Sequence, residues 1–250
     1  MWTLLGGTLA AGGANAINMY VDRDIDALMP RTQNRPLVTG VISPRSALVF
    51  AIVVETIAVV QLALTVNVLS AVLALSAALF YVFIYTIWLK RTSTRNIVIG
   101  GAAGAVPVLV GWASVTNSVS WAPIVLFVSM FLWTPPHFWA LAIRYTDDYR
   151  AAGVPMLPVV EGASVTSRRM VSYTVALWAS TLVFWPVAHL GWIFGTAAIV
   201  LGALFTASTV RLVREPTPAR SMRVFAFSIT YVTVLFVAMA VDAWVLGSQG

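Results

Sequence analysis

The 250-residue chain contains no cysteine. That excludes disulfides, thiolate metal centres and a cysteine nucleophile, and leaves the compartment open. Charge is also scarce: 10% of the residues are Asp, Glu, Lys or Arg, against about a quarter in soluble domains. With 60% hydrophobic residues and a mean hydropathy of +0.88, the composition excludes a soluble globular protein and indicates an integral membrane one. No cationic stretch precedes the first apolar segment, so Met1 to Tyr20 reads as a span and not as a cleaved signal. Low-complexity segments and long polar linkers are missing too, so 1–250 is expected to form a single transmembrane domain.

Blocks free or nearly free of charge cover 1–21, 46–89 (Glu55 only), 96–143, 170–210 and 224–250 (Asp242 only). A helix needs about 20 residues to cross the hydrocarbon, so the end blocks hold one span each and the middle blocks two each. Breaks at Asn67 with Ser70, at Thr116 to Ser120 before Pro123, and at Pro186 to Gly191 divide the long blocks. Helices are expected near 2–20, 46–65, 69–89, 97–115, 121–143, 168–185, 190–210 and 223–246: an all-α, polytopic bundle of eight transmembrane helices.

The fifteen basic residues form four groups: Arg23, Arg31, Arg35 and Arg45; Lys90, Arg91 and Arg95; Arg144, Arg150, Arg168 and Arg169; Arg211, Arg214, Arg220 and Arg223. Eight alternating spans put all four on one side, which the positive-inside rule makes cytoplasmic. The net charge of +6 is thus a topology signal, and no soluble basic domain is available to bind nucleic acid. Gly6, Gly7, Gly12 and Gly13, and Gly100-x3-Gly104, suggest close helix packing.

The richest chemistry lies in NMYVDRDIDALMPRTQNR, residues 18–35. Asn18, Asp22 and Asp26 recur every four residues, so a continuing helix would carry them on one face, one turn apart. Mg²⁺ typically takes one or two protein carboxylates and fills its octahedron with water and substrate phosphate. Arg31 and Arg35 could grip that phosphate. The segment therefore reads as a Mg²⁺–diphosphate site, the alternative being a solvated charged loop that only orients the protein.

A second acidic segment, Asp147 to Pro155 (DDYRAAGVP), can be laid over Asp22 to Pro30 (DRDIDALMP), each with Pro eight residues after Asp. Asp147 and Asp148 would form a second, weaker metal-facing pair, because Ala151 stands where the first segment has Asp26; alternatively they cap a helix or pair with Arg144 and Arg150. Before them, Pro135 and Pro136 should bend or break the helix. His137 could orient a substrate, ligate iron or move a proton, or be structural. Glu55 is a lone acid in mid-span, where a carboxylate is costly. Tyr81, Tyr85, Trp133 and Trp139 could shelter a cation, or simply pack.

Four stretches, NMYVDRDIDALMPRTQNRPLVTG, YTIWLKRTSTRNIVIGGAAGAVPVLVGW, WTPPHFWALAIRYTDDY and AGVPMLPVV, together resemble the protohaem IX farnesyltransferases of the UbiA-like membrane prenyltransferase superfamily. The acidic motif is shared across the superfamily, whereas TPPHFWAL and PMLPVV point to the haem branch. The resemblance implies nine helices around a chamber open to lipid, of which this chain lacks the first. It implies farnesyl diphosphate held through Mg²⁺ at Asn18, Asp22, Asp26 and Asp147, with Asp148 alongside, and Arg31, Arg35, Lys90, Arg91 and Arg95 on the diphosphate. A vinyl group of haem B would attack the allylic cation, with His137 and Tyr85 lining the substrates. The product would pass to a haem A synthase or a terminal oxidase assembly. Competing readings are a prenyltransferase acting on a quinone precursor or other aromatic acceptor, and a membrane transporter with a midplane site; clustering of the charged groups at one membrane face favours the enzyme.

Overall fold

In the computed structural model, which describes residues 1–247, each apolar block is helical and no strand occurs among the described residues. The helices are α1 (Trp2–Val21), α2 (Arg23–Leu28), α3 (Pro44–Thr65), α4 (Val68–Thr92), α5 (Asn96–Thr116), α6 (Trp121–Arg144), α7 (Thr146–Ala151), α8 (Leu157–Val160), α9 (Gly162–Val187), α10 (Trp192–Arg214) and α11 (Pro218–Gly247). Seven of these are long and apolar enough to cross a membrane. The eighth expected span, α1, is a 20-residue helix whose glycines, Asn15 and Asn18 dilute its hydropathy. α9 and α11 begin six and five residues before their expected starts, the earlier start of α11 drawing Arg220 into helix.

Two compact units are present: residues 1–119 with 146–156, and residues 120–145 with 157 onward. In the first, α1 packs chiefly on α3, and α4 packs on α5, α3 and α1. The core is built of small side chains, with Ala10, Ala58, Leu62, Ala71, Ala74 and Val110 in one cluster. Lipid tails offer no hydrophobic contrast, so membrane helices associate through close van der Waals contact that small residues allow. Gly6 and Gly13, two turns apart on α1, supply the closest approach: a Cβ at Gly6 would lie 2.6 Å from Leu62 Cδ2, and one at Gly13 would lie 2.7 Å from Glu55 Oε2. Gly7, Gly12 and Gly104 face open space instead, while Gly100 lies under the Tyr85 ring. Only half of the glycines expected to pack do so.

In the second unit α6, α9, α10 and α11 form a closed ring of neighbours, α6 touching both α9 and α11. Hydroxyls tie it together: Ser129 Oγ with Ser180 Oγ at 2.9 Å, Thr174 Oγ1 with Thr209 Oγ1 at 3.0 Å, and the Tyr231 hydroxyl donating to Thr181 Oγ1 at 3.4 Å. Such bonds average about 0.6 kcal/mol in membrane bundles. The Asp242 carboxylate of α11 accepts from Gly191 N and, at 3.1 Å, from Ile193 N, capping the start of α10. Of the expected bend or break at Pro135 and Pro136, the break does not occur: α6 runs through both prolines without interruption. A membrane helix tolerates proline where neighbouring protein surrounds it, and both prolines are buried.

Candidate active site

The first acidic motif keeps its spacing but not its expected exposure. α1 ends at Val21, yet Asp22 N still donates to Asn18 O at 2.9 Å and Asp26 N to Asp22 O at 2.8 Å, so all three remain one turn apart. They are buried: Asp22 is 0% exposed, Asp26 2% and Asn18 8%. The solvated-loop reading is thereby overturned for these residues. A buried carboxylate needs a cation and hydrogen bonds to offset its lost hydration, and the chain supplies both.

Asp22 Oδ2 accepts from Asn18 Nδ2 at 2.7 Å and from Lys90 Nζ, and Arg91 Nη2 reaches Asp22 Oδ1 at 3.5 Å. Asp26 Oδ2 accepts from Arg35 Nη1 at 2.5 Å. Turns over residues 29–39 fold the chain back to bring Arg35 there, with Thr32 Oγ1 bonded to Asp26 O at 2.9 Å. Asp24, on the outer side, is gripped by both Arg91 guanidinium nitrogens at 2.7 and 2.8 Å. That bidentate hydrogen bond holds the Asp24 carboxyl at about 2, below its ordinary 3.8.

Lys90 and Arg91 reach α1 because of a feature absent from the sequence reading. From Phe80 to Leu89, α4 winds as a π-helix, each turn taking up an extra residue. Within it Thr86 is wholly buried. Its Oγ1 donates to Tyr81 O at 2.9 Å, five residues back, and accepts from Asn18 Nδ2 at 3.1 Å. Tyr81 and Tyr85 stack with ring centroids 5.4 Å apart. Asp22 and Arg35 lie within electrostatic reach of Tyr81, and Asp22, Arg31 and Tyr149 within reach of Tyr85. Arg31 and Arg95 are both exposed, Arg95 immediately preceding α5.

The second acidic segment belongs to the same compact unit but is built differently. Asp147 is exposed and pairs locally with Arg150, while Asp148 is half-buried. Gly153, at φ +66, ends the turn after α7, a conformation that favours glycine; the matching position in the first segment is Leu28. The buried residues here are Tyr149 and Val154, and Tyr149 lies within electrostatic reach of Tyr85. Neither Thr86 nor Tyr149 was singled out in the sequence: a threonine in an apolar run carries no pattern of its own, and Tyr149 is overshadowed by the charged residues on either side of it.

His137 lies in the second unit, its ring stacked between Trp133 (centroids 4.2 Å) and Phe225 (4.6 Å). Nδ1 is 2.6 Å from Ser228 Oγ, which itself donates to Phe225 O at 2.6 Å. A carbonyl cannot donate, so the one hydroxyl proton of Ser228 is committed and Nδ1 must carry the other. Nε2 of the neutral ring is therefore the nitrogen with a lone pair, suited to a metal or a proton. Glu55 lies against Gly13, its carboxyl oxygens buried and unbonded among the described residues.

Among the described residues no three His, Cys, Asp or Glu side chains gather to hold a metal by themselves. Asn18, Asp22 and Asp26 form instead a hard-oxygen set, incomplete without ligands from a substrate, which fits Mg²⁺ and its habit of sharing phosphate oxygens. Five cationic side chains on the same unit, Arg31, Arg35, Lys90, Arg91 and Arg95, match such a phosphate in charge.

Known proteins share both sequence and fold. The protoheme IX farnesyltransferase of Frankia alni is 53% identical over 244 residues, covering 96% of this chain and 84% of that protein. That of Streptomyces avermitilis is 52% identical over 246 residues, covering 96% and 81%. A UbiA homologue from Aeropyrum pernix K1 shares the fold at a TM-score of 0.75 and 22% identity, covering 97% of this chain and 88% of its own. Another from Archaeoglobus fulgidus, bound to GPP and Mg²⁺, gives a TM-score of 0.64 at 18% identity, covering 96% and 87%. The UbiA prenyltransferase family model matches residues 1–240. With an all-helical, multi-pass membrane fold, a buried N-x3-D-x3-D motif and relatives at half identity over nearly its whole length, this chain belongs to the UbiA prenyltransferase family.

Proposed function

We infer that this protein transfers the farnesyl group of farnesyl diphosphate to a vinyl group of haem B, giving haem O. The observation that carries this reading is the 53% identity over 96% of the chain to a protein named for that activity. The buried acidic motif, with cations bonded directly to it, supplies the chemistry that activity needs. Asn18, Asp22 and Asp26 would hold Mg²⁺, with Asp147 and Asp148 contributing from the second segment. Bound there, Mg²⁺ would act as a Lewis acid on the leaving diphosphate.

The protein's own groups do the rest. Lys90 and Arg35, now bonded to Asp22 and Asp26, exchange those carboxylates for phosphate oxygens, and Arg31, Arg91 and Arg95 add to the positive field. Preorganised charge of this kind acts where negative charge develops as the C–O bond ionises. Tyr85 and Tyr81 offer ring faces to the allylic cation. His137 presents the Nε2 lone pair to haem, a role its Nδ1–Ser228 bond is suited to fix.

The two compact units act as one prenyltransferase domain over 1–250, a reading supported by a family match that spans both. The enzyme resides in the cell membrane with its acidic segments on the cytoplasmic side, following the asymmetry of its basic residues. Product is handed to a haem A synthase or a terminal oxidase assembly. Purified protein incubated with haem B, farnesyl diphosphate and Mg²⁺ should yield haem O by mass spectrometry, and no product on chelation. Turnover of an aromatic quinone precursor with haem B left unchanged would overturn the assignment. His137→Ala should shift the Soret band of bound haem while leaving farnesyl diphosphate affinity unchanged; an unmoved spectrum returns this histidine to a packing role.

A further inference from the structure

We propose that Thr86 is a positioning residue for the metal site: it fixes which end of the Asn18 amide faces the metal. This rests on the reading of Asn18 and Asp22 as Mg²⁺ ligands, and names a residue that touches neither substrate nor metal. The argument is one of hydrogen-bond accounting. Thr86 Oγ1 is wholly buried and gives its single proton to Tyr81 O at 2.9 Å. Toward Asn18 it can therefore only accept. The carboxylate of Asp22 can also only accept. The Asn18 atom that lies 3.1 Å from Thr86 and 2.7 Å from Asp22 must then be the nitrogen, with one proton for each.

Oδ1 is left as the Asn18 atom able to ligate a hard cation, since an amide nitrogen offers no usable lone pair. Asp22 alone cannot guarantee this orientation, because a metal drawing on its carboxylate competes with the Asn18 bond. Thr86 is not a metal ligand and holds the amide throughout.

The π-helical winding of α4 makes the arrangement possible. A threonine in an ordinary α-helix turns its hydroxyl back to the carbonyl three or four residues earlier. Here the widened turn brings a carbonyl five residues earlier into range, and Thr86 meets Asn18 from an element 68 residues away in sequence. π-turns recur at functional sites for this kind of reorientation.

Thr86→Val keeps the shape and removes the hydroxyl; Thr86→Ser restores it. Binding of Mn²⁺ in the presence of inorganic diphosphate, followed by the loss of the free-ion EPR signal, reads the site without turnover. Partners that orient metal ligands typically change affinity 10–100-fold when lost. Thr86→Val should therefore weaken Mn²⁺ binding by about that factor, raise the Mg²⁺ concentration needed for half-maximal activity, and leave kcat near wild type at saturating metal. Thr86→Ser should bind as the wild type does. Thr86→Ala, read the same way, replaces the valine variant should its second methyl disturb packing. Wild-type Mn²⁺ affinity in the hydroxyl-free variant, alongside its loss in Asp22→Ala, would overturn the role of Thr86 alone. Undiminished affinity in Asp22→Ala would overturn the metal-site reading, and this inference with it.

Discussion

The two acidic segments start from similar sequence and reach opposite states. Each follows a long apolar helix, each forms a six-residue helix, and each has proline eight residues after its first aspartate. Asp22 is nevertheless 0% exposed and bonded to three residues of two helices, whereas the Asp147 side chain is 93% exposed and bonded to a neighbour three residues on. The difference comes from what is packed alongside. The first segment meets a π-helical turn that delivers Thr86, Lys90 and Arg91 together; in the second, Asp147 pairs with its neighbour Arg150. Segments of similar sequence therefore make a buried, charge-balanced centre in one place and an exposed surface pair in the other.

Removing Asp22 should break this contrast most severely. Asp22→Ala takes a ligand from the proposed metal site and leaves Lys90 largely buried beside an uncompensated gap. Breaking one partner of a buried pair costs about 3–5 kcal/mol, and losing electrostatic stabilisation of a leaving group costs about 10²–10³-fold in rate. Haem O formation and thermal unfolding in detergent should both fall, and a variant with full activity would remove Asp22 from the site. Asp147→Asn breaks only an exposed pair, so stability should change by no more than about 1 kcal/mol, with a smaller loss of activity than Asp22→Ala.

Ala151→Asp sharpens the comparison by giving the second segment the i+4 carboxylate that Asp26 provides in the first. The Mg²⁺ concentration for half-maximal activity should then fall, and an unchanged requirement would mean that the second segment does not approach the metal. The smallest effect concerns Asp24. Its carboxyl is lowered to about 2 from 3.8 by Arg91, so the folded state favours the charged form. The stabilisation is present in full above the ordinary value of 3.8 and is lost as the pH falls toward 2. Because Asp24 is exposed, the effect should be slight; an Asp24→Asn variant should unfold like the parent at low pH and marginally more easily at neutral pH.

Much of the fold was legible because membrane helices announce themselves by length and apolar content. All eight expected helices are present, with their ends displaced by up to six residues where the chain emerges among charged groups. The identities of the acidic residues were legible too, since carboxylates are rare in this chain. Their burial was not. A charged motif beside an apolar helix reads as solvated until the cations that neutralise it are seen, and Lys90 lies 68 residues from Asp22. The π-turn was equally hidden, because Phe80 to Leu89 has the composition of any apolar span. At Pro135 and Pro136, where a bend or a break was expected, the helix is not broken, both residues being buried within a continuous α6. His137 was noticed for its chemistry, but the proton on Nδ1 could be assigned only after Ser228 and Phe225 were placed beside it.

The cap that Asp242 places on α10 has a consequence for biogenesis. Gly191 and Ile193 emerge from synthesis about fifty residues before the carboxylate that accepts their amide protons. Until α11 is made, the first turn of α10 lacks that acceptor. Insertion of α11 and completion of α10 are thus coupled events. A ribosome-bound intermediate ending before Asp242 should show faster amide exchange at residues 191–193 than the finished chain, making the final helix a checkpoint on the one before it.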